Sequence, residues 1–493
     1  MAAINSESVP PTTAPLAKLR GALAIAVLMF AVLSAVQVPA ATSADAAAPP
    51  NIVLITADDM AKTDLRWMPR TKEQLRDAGV ELQSFVSNHP LCCPARAEIL
   101  TGQYGHNNGV IGNRREGGGY TALAEPGNHV GAWLQEAGYN TALVGKHMNK
   151  WDLVAHHQPG WTRFDPILER IDYPFDLTFF NDGNPRLLSH GYNADLVGHR
   201  TVSTINRFAA SPEPFFIWSS HVVPHAMHFG GKNEPYHPDT PKPAPRHKDL
   251  FPSARIVSVE DPAYNEADVS DKPAYVRQAP VPTNSHVRSA HLARIRSLRA
   301  LDDQVANLVT TLEDRGELAD TLIFFTSDNG YLLGQHRLTG KNVPYEQTLR
   351  VPLLVRGPGI TPSTQYPDMY SLVDLAPTFV DAAGATPGRV LDGRSMLSAL
   401  RTGAPGYSHY LIQAGSQDLS GSGWWWRGVR SDDYVYWRYD DGFEELYDLN
   451  ADPAQLTNVA NNPDYAAVRS EYAARLERLR DCVGEACQTG GAP

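Results

Sequence analysis

The chain has 493 residues, of which 42% are hydrophobic and 9% aromatic, and it carries a formal net charge of −11. This length can bury one large core plus a smaller domain, and the composition is that of a folded globular protein. The negative net charge argues against a nucleic-acid partner.

The N-terminal segment has the three parts of a secretory signal. Lys18 and Arg20 precede an apolar run over residues 21–38, and small residues follow up to Ala44. This order predicts a signal peptide over residues 1–43 and a secreted or cell-envelope protein of bacterial origin. The alternative is an uncleaved membrane anchor, because the run is near the minimum length that spans a bilayer. No other long apolar segment occurs, so no membrane span is expected after cleavage.

Short apolar runs alternate with helical stretches along residues 48–403, which are predicted to form an α/β domain. The predicted strands cover residues 51–56, 141–144, 215–218, 321–326 and 351–355, and the predicted helices cover residues 71–78, 130–137, 291–315 and 379–383. This alternation predicts a doubly wound, mostly parallel α/β sheet with helices on both faces. Because such sheets bind ligands beyond the carboxyl ends of their strands, the polar residues that follow the strands, Arg356 among them, are expected to converge on one site.

Two of these strands end in adjacent oxygen-bearing side chains. Asp58 and Asp59 follow the first strand, and Asp328 and Asn329 follow the strand at residues 321–326. Four such ligands without a nearby histidine pair favour a hard cation, Ca²⁺ or Mg²⁺. The alternative for either pair alone is that it caps the next helix.

Two adjacent cysteines, Cys92 and Cys93, open a predicted helix that ends at Gly102. Pro94 suits the first helical turn, and Arg96 adds a fixed positive charge one turn in. Because a helix N-terminus presents unpaired N–H groups, the pattern predicts a reactive side chain in an anion site. The alternative is a structural role in disulfides.

The chain contains two further cysteines, Cys482 and Cys487. They can close a small loop in an oxidising compartment. That pairing leaves Cys92 and Cys93, which can bridge each other only with strain because they are neighbours in sequence.

Residues 221–286 are rich in Pro, His and charged residues and show little periodicity. A loop of this length is typical of a functional wall over a site. His225 is the candidate site residue in it, whereas His228, His237 and His247 are interpreted as surface residues.

Residues 404–493 are predicted to form a C-terminal α+β subdomain. Short strands with intervening turns between residues 424 and 449 precede a helix over residues 465–479, which indicates a small antiparallel sheet with a packed helix. The run Trp424-Trp425-Trp426 is interpreted as core or interdomain packing, with a sugar-stacking platform as the alternative.

These motifs jointly resemble the type I, formylglycine-dependent sulfatases over nearly all of the chain that follows the leader. The resemblance rests on residues 51–59, 92–96, 100–102, 138–146, 326–330 and 446–458. Within the family the chain is most similar to the N-acetylglucosamine-6-sulfatase and heparan endosulfatase branch, through the doubled cysteine and residues 145–150, 158–161 and 328–336. The resemblance implies an alkaline-phosphatase-like fold: a large mixed, mostly parallel sheet flanked by helices, plus a small C-terminal antiparallel sheet with a helix.

The resemblance implies a sulfuric ester hydrolase whose nucleophile is made from Cys92. A separate formylglycine-generating enzyme would oxidise Cys92 to formylglycine (3-oxoalanine), while Cys93 stays an ordinary cysteine. One hydroxyl of the hydrated aldehyde would attack the sulfate sulfur and expel the alcohol, and the sulfated hemiacetal would then eliminate sulfate. The implied metal, Ca²⁺ or Mg²⁺, would be bound by the modified Cys92 and by Asp58, Asp59, Asp328 and Asn329.

The resemblance also implies roles for the charged residues around the nucleophile. Lys146 and Lys341 would bind the sulfate, and Arg96 would hold the formylglycine. His225 would protonate the leaving oxygen, and Asp328 would be the base on the gem-diol. The implied substrate is a sulfated small molecule or glycan, such as a sulfated sugar or an aryl ester.

One position departs from the family pattern. Many sulfatases have a histidine two positions after the first lysine, where it serves the elimination step, and here that position is Met148. Its neighbours His147 and Asn149 are candidate substrate-binding residues, and His147 is the candidate base for elimination. The aminosugar branch has an asparagine like Asn149.

Three other functions are open from the sequence. A phosphonate monoester hydrolase or phosphodiesterase of the same superfamily can share the cysteine motif and a similar metal site. A catalytically silent, exported glycan-binding protein can keep the fold. A cysteine enzyme would use the thiolate of Cys92 directly.

Overall fold

The computed structural model describes residues 48–113, 118–154, 156–169, 171–227, 240–415 and 423–491. The predicted signal peptide, residues 1–43, and the loop histidines His228 and His237 lie outside these ranges. Residues Pro49–Pro493 form one compact unit. Within the described ranges, no helix has the length and apolar character needed to cross a membrane.

The described residues contain the predicted strands and helices together with several that the sequence analysis did not identify. The strands are β1 Asn51–Ala57, β2 Val80–Val86, β3 Asn140–Gly145, β4 Arg163–Glu169, β5 Phe175–Phe179, β6 Arg186–Tyr192, β7 Phe215–Ser220, β8 Thr321–Ser327, β9 Leu332–Leu333, β10 Thr339–Gly340, β11 Leu353–Arg356, β12 Thr364–Ser371, β13 His409–Gly415, β14 Trp424–Ser431, β15 Tyr434–Tyr439 and β16 Glu444–Asp448. The α-helices are α1 Pro69–Thr71, α2 Cys92–Thr101, α3 Gly105–Asn108, α4 Val130–Glu136, α5 Asn193–Phe208, α6 Ala274–Arg277, α7 Asn284–Asp314, α8 Glu346–Leu349, α9 Leu375–Ala383, α10 Leu397–Thr402, α11 Ala466–Leu479 and α12 Glu485–Gln488.

A ten-stranded sheet forms the centre of the fold, in the order β12-β2-β11-β8-β1-β7-β3-β4-β5-β6. Strands β8, β1, β7, β3 and β4 lie side by side and parallel, so their carboxyl ends meet at one edge. This arrangement confirms the predicted α/β fold class and its mostly parallel sheet.

Strand β11 runs in the opposite direction. It is antiparallel to both β8 and β2, and Arg356 lies opposite Ile323, near the start of β8. The expectation that Arg356 joins the other strand-end residues is therefore wrong, because an antiparallel strand ends at the opposite edge of the sheet.

Both faces of the sheet are buried. Along β1, Ile52 and Leu54 belong to one hydrophobic cluster, and Val53 and Ile55 belong to another. Successive side chains of a strand point to opposite faces, so a continuous apolar run is the pattern of a strand covered on both sides. Helices α2 and α9 contribute to the first cluster, and α5 and α7 contribute to the second.

Two predicted helices differ from the observed ones at their boundaries. Helix α7 begins at Asn284, earlier than predicted, and the side chain of Thr283 caps it by accepting the N–H of His286. The helix predicted at residues 71–78 consists of the short α1 followed by a π-helical turn over Lys72–Asp77.

The C-terminal part forms the predicted antiparallel sheet, in the order β13-β14-β15-β16. Helix α11 packs on one face of this sheet, and a disulfide joins Cys482 to Cys487 as expected. On the other face Trp426 and Trp437 pack with Tyr345 of the α/β part. The packing interpretation is therefore confirmed for Trp426, which is 1% exposed.

The end of β3 imposes a backbone constraint that generates a stability prediction. Gly145 has a φ of +104°, and a Cβ there would lie 2.0 Å from the carbonyl oxygen of Ser220. We expect Gly145→Ala to lower the free energy of unfolding by about 2 kcal/mol or more, since the strain of a positive φ adds to a clash with backbone. Urea unfolding measures this change.

Gly138→Ala is the matched control. Gly138 also has a positive φ, +91°, but nothing lies within 4 Å of a Cβ built on it. The control therefore isolates the strain of the backbone angle. Equal losses of stability in the two variants would show that the contact with Ser220 has no effect.

Candidate active site

Three buried carboxylates meet at the carboxyl edge of the parallel strands. Asp58 and Asp59 follow β1, Asp328 follows β8, and one oxygen of each lies within 4.8 Å of the other two. Asp59 has a φ of +66°, and its N–H donates to Asp328 Oδ1 at 3.2 Å. The pairing of β1 with β8 thus brings the two acidic motifs of the sequence together, as predicted.

Asn329 completes this group and leaves one acceptor unused. Its Nδ2 donates to Asp59 Oδ1 at 2.8 Å, whereas its buried Oδ1 has no hydrogen-bond partner among the described residues. A buried carbonyl oxygen without a partner is costly unless something binds it. Three carboxylates plus this oxygen are the donor set that a hard divalent cation prefers, so the residues fit Ca²⁺ or Mg²⁺.

Helix α2 places Cys92 beside the acids. The helix begins at Cys92 and ends at Thr101, and Gly102 caps it in the left-handed conformation that glycine favours. The Cys92 thiol lies 3.4 Å from Asp58 Oδ1 and accepts a hydrogen bond from Lys341 Nζ at 2.7 Å. The cysteine is 1% exposed.

Three cations surround the carboxylates. Lys146, directly after β3, pairs with Asp58, and Lys341, directly after β10, pairs with Asp59. Arg96 Nε donates to Asp328 Oδ2 at 2.9 Å, and all three cations lie close enough to the acids to offset their charge. The lysines that the sequence predicts are therefore in the same cluster as Cys92.

The guanidinium of Arg96 also fixes the neighbouring strand ends. It donates to the Lys146 carbonyl at 2.9 Å and to Ser220 Oγ at 2.6 Å. Its fork of donors therefore links helix α2 to the ends of β3, β7 and β8.

The charges shift the proton affinities of the acids in opposite directions. Burial works to raise the pKa of Asp58, but the positive charges led by Lys146 outweigh it and hold that pKa well below its usual range. The pKa of Asp59 is lowered too, because Lys341 and His225 oppose the effect of burial. Burial and the charge of Asp58 raise the pKa of Asp328. Asp328 is therefore the acid of this group that holds a proton most readily.

The thiol of Cys92 holds its proton tightly. Burial, followed by the charge of Asp58, raises the pKa of Cys92 to about 12, although Lys146 and Lys341 act against the shift. The protein groups around Cys92 therefore favour the thiol over the thiolate, which is the better nucleophile.

His225 faces the same cluster from the loop after β7. Its Nε2 lies 3.8 Å from Asp59 Oδ2, while its Nδ1 is 2.7 Å from the Ala226 carbonyl and 3.6 Å from Asp172 Oδ1. A ring nitrogen, Cys92 Sγ and an oxygen of Asp58 all lie within 4.8 Å of one another. An Nδ1–H donated to Ala226 leaves Nε2 to exchange a proton with a group bound at the cluster.

The two neighbours of Met148 have different surroundings. His147 is buried against the rings of Tyr120, Trp151 and Phe164, and burial lowers its pKa to about 3. The side chain of Asn149 is exposed. Met148 lies in the hydrophobic core and offers no proton acceptor. The contacts of His147 are those of a neutral core histidine.

Sequence reasoning missed several polar partners of the site. Ser220 lies at the end of β7, so the rule that polar residues at strand ends converge on the site could have identified it. Asp172 faces His225, and Arg294 of α7 donates to the carbonyl of Asp59 and lies 3.3 Å from Asp64. The helical pattern of residues 291–315 could not predict these contacts of Arg294. The spacing of its apolar residues indicates which face of the helix is buried, but it does not identify the partner of a buried charge.

Comparisons with known proteins show which sequences this chain is similar to. The sequence profile described as "Sulfatase" matches residues 50–385, and the one described as "N-sulphoglucosamine sulphohydrolase, C-terminal" matches residues 334–482. An arylsulfatase of Volvox carteri is 31% identical over 91% of this chain and 77% of its own length. An N-acetylglucosamine-6-sulfatase of Capra hircus is 30% identical over 89% of this chain and 85% of its own length.

Solved structures share the fold. A structure determined in complex with its substrate, D-glucosamine-2-N,6-O-disulfate, has a TM-score of 0.70 at 22% identity and covers 87% of this chain and 97% of that chain. At this identity the likeness shows the fold alone.

The contacts of Arg96 generate a stability prediction. We expect Arg96→Met to lower the free energy of unfolding by about 3–5 kcal/mol, because it leaves the buried Asp328 without its ion-pair partner. Arg96→Lys should lose less, since it keeps the charge and gives up only the fork of hydrogen bonds. Chemical denaturation of both variants measures the difference.

Arg480→Met is the control for this experiment. Arg480 pairs with Glu477 and Asp481, whose side chains are 45% and 69% exposed. Exposed ion pairs contribute at most about 1 kcal/mol. A loss in Arg96→Met no greater than in this control would contradict the assigned role of Arg96.

Proposed function

The chain belongs to the sulfatase family, and we propose that it hydrolyses the sulfate ester of a sulfated saccharide with a nucleophile derived from Cys92. Family membership confirms the resemblance noted in the sequence, and it makes the chain a sulfuric ester hydrolase. The observation that carries the proposed nucleophile is the position of Cys92 Sγ, 2.7 Å from Lys341 Nζ and 3.4 Å from Asp58 Oδ1. A sulfate that reaches Cys92 meets the side chains of Lys146, Lys341 and Arg96, whose positions are fixed in advance by their ion pairs.

We favour a formylglycine at Cys92 over direct use of its thiol. Residues 92–96 have the Cys-x-Pro-x-Arg pattern on which the resemblance to the formylglycine-dependent sulfatases rests, and membership of the sulfatase family supports this choice. We propose that a formylglycine-generating enzyme oxidises Cys92 and leaves Cys93 unmodified. The contact of Cys93 supports a structural role, because its sulfur accepts the N–H of Asn149 at 2.9 Å.

The remaining charged residues have roles that their positions support. Lys146, Lys341 and Arg96 would hold the negative charge of the sulfate, with Arg96 also fixing the nucleophile. With both ring nitrogens protonated, His225 would donate its Nε2 proton to the leaving alcohol oxygen, while its Nδ1–H stays hydrogen-bonded to the carbonyl of Ala226. The overall reaction consumes one water, whose oxygen ends on the sulfate while one of its protons ends on the alcohol.

A divalent cation is part of this proposal. Asp58, Asp59, Asp328 and Asn329 would hold it, together with the modified Cys92, and when bound it supplies positive charge that lowers the pKa of the nucleophile and binds a sulfate oxygen. We propose Ca²⁺ rather than Mg²⁺. A group of several protein oxygens suits Ca²⁺, whereas Mg²⁺ usually keeps more of its waters.

A sulfated aminosugar or its glycan is the proposed substrate class. One relative is named as an N-acetylglucosamine-6-sulfatase, and the structure with TM-score 0.70 holds a doubly sulfated glucosamine as its substrate. The arylsulfatase relative makes an aryl sulfate a reasonable assay compound. We also propose that the protein is exported, which the predicted signal at residues 1–43 supports.

The test of the proposed function compares two ester classes and two cysteine variants. The full chain, co-expressed with a formylglycine-generating enzyme, should have a higher kcat/KM on N-acetylglucosamine 6-sulfate or 4-nitrophenyl sulfate than on a phenylphosphonate monoester. Cys92→Ser should lower kcat by at least about a thousandfold, because it removes the precursor of the nucleophile.

Cys93→Ser is the matched control, since it changes the adjacent thiol in the same helix and should keep most of the rate. Mass spectrometry of the tryptic peptide over residues 77–96 provides an independent measurement, because oxidation of Cys92 to the aldehyde lowers its mass. Faster turnover of the phosphonate would assign the chain to the other ester class. An active preparation with unmodified Cys92 would rule out the formylglycine.

The metal proposal has a test that does not depend on activity. After treatment with a chelator, added Ca²⁺ should raise the Tm, because a ligand at a hundredfold excess over its Kd stabilises the folded state by about 2.7 kcal/mol. Asp59→Asn should reduce this shift, whereas Asp440→Asn, at an exposed acid outside the cluster, should not. The same shift in Asp59→Asn as in the unchanged protein would place the cation elsewhere.

A further inference from the structure

A second cavity of about 650 Å³ lies outside the candidate active site. It is formed by the segment after β1, the π-helical turn Lys72–Asp77, residues 257–261, the segment after β8 and helix α8 with Arg350. None of the candidate catalytic residues lines it. Its volume is in the range of small-molecule binding sites. One wall carries mainly basic side chains, and the opposite wall carries hydrogen-bond acceptors.

One wall is basic, and its carboxylates do not balance its cations. Lys62 Nζ lies 3.8 Å from Glu81, and Arg350 Nε lies 3.9 Å from Glu346 without a hydrogen-bond partner in the described part of the chain. Glu346 is already held by the buried Arg430 through two bonds of 2.7 and 2.8 Å. Glu346 therefore offers little charge to Arg350.

Two more cations of this wall contact carbonyl groups. Arg66 Nε donates to the Thr63 carbonyl at 3.1 Å, and Lys72 Nζ donates to the Arg66 carbonyl at 3.2 Å. A carbonyl satisfies a donor but does not neutralise its charge. Burial and the positive charge of Arg350 also lower the pKa of Lys62 to about 8, although Glu81 and Glu346 act against the shift.

The opposite wall offers groups that bind hydroxyls. Asp261 accepts the side-chain N–H of Gln347 at 3.0 Å and lies 3.4 Å from that of Gln335. The Oε1 atom of Gln347 is buried, and it has no hydrogen-bond partner among the residues that the structure describes. A ligand with anionic groups on one side and hydroxyl donors on the other would satisfy both walls.

We propose that this cavity is a second, non-catalytic binding site for a sulfated saccharide chain. The proposal rests on the proposed function, because the sulfated saccharide is taken from the substrate class given there. Sulfate groups complement the basic wall formed by Lys62, Arg66, Lys72 and Arg350, and sugar hydroxyls complement the acceptors of the opposite wall.

The segment after β1 carries residues of both the cavity and the active site. Lys62 is three residues from Asp59, so their Cα atoms lie within about 11 Å of each other. Tyr331 lines the cavity and lies 4.2 Å from the guanidinium of Arg294, which donates to the Asp59 carbonyl. An oligosaccharide held in the cavity therefore lies near the segment that carries Asp59.

The test measures binding to the full chain that carries Cys92→Ala, so that turnover is absent. Calorimetry with a size-defined sulfated hexasaccharide gives the Kd of this protein and of the same protein with Arg66→Glu and Lys72→Glu added. We expect the added pair to weaken binding about tenfold or more, since it reverses two charges of the basic wall. The affinity of the parent protein should also fall as salt is raised.

A matched pair of charge reversals, Lys248→Glu and Arg401→Glu, changes two exposed cations outside the cavity and should leave the Kd unchanged. Equal Tm values show that the compared proteins are folded. Three results would overturn the proposal: equal affinities in the two charge-reversed proteins, equally tight binding of the desulfated hexasaccharide, or inorganic sulfate alone binding as tightly as the hexasaccharide. Because binding is measured without turnover, a failure of sulfate-ester hydrolysis is a separate result.

Discussion

The interaction on which this structure depends is a charge balance buried at the carboxyl edge of the central sheet. Removing a carboxylate or an ammonium group from water costs several kcal/mol unless a partner compensates it. Here three buried acids face three buried or nearly buried cations: Asp58, Asp59 and Asp328 against Arg96, Lys146 and Lys341. Neither set can be buried without the other, so the segments that carry them have to pack together.

The topology brings these charges together from distant parts of the chain. The acids follow β1 and β8, which are neighbours, and Lys146 follows β3, two strands away from β1. Arg96 is on helix α2 and Lys341 follows the hairpin strand β10. Because parallel strands end at a common edge, the sheet itself brings the residues that follow β1, β3 and β8 together. Arg96 and Lys341 lie outside the sheet, so the packing of helix α2 and of the hairpin has to position them.

Much of the site could be predicted because its signals are local in the sequence. Neighbouring residues are enough to predict the apolar run of β1 with Asp58 and Asp59 after it. They are also enough to predict the helix that begins at Cys92 and is capped by Gly102. The direction of β11 could not be predicted, because an apolar run is the same for parallel and antiparallel pairing. The orientation of His147 among aromatic rings and the contact of Arg294 with the Asp59 loop depend on tertiary packing, which no local pattern records.

The cation proposed at the catalytic cluster and the basic wall of the cavity would also explain how a chain with a net charge of −11 can take an anionic substrate. At physiological ionic strength the Debye length is about 8 Å, so charges spread over the rest of the surface are largely screened from a ligand inside a cavity. What the ligand meets is the local group of cations, which low solvent access makes effective at short range. The net charge therefore affects solubility and long-range association with a ligand. The affinity for sulfate depends instead on where a few lysine and arginine side chains are placed.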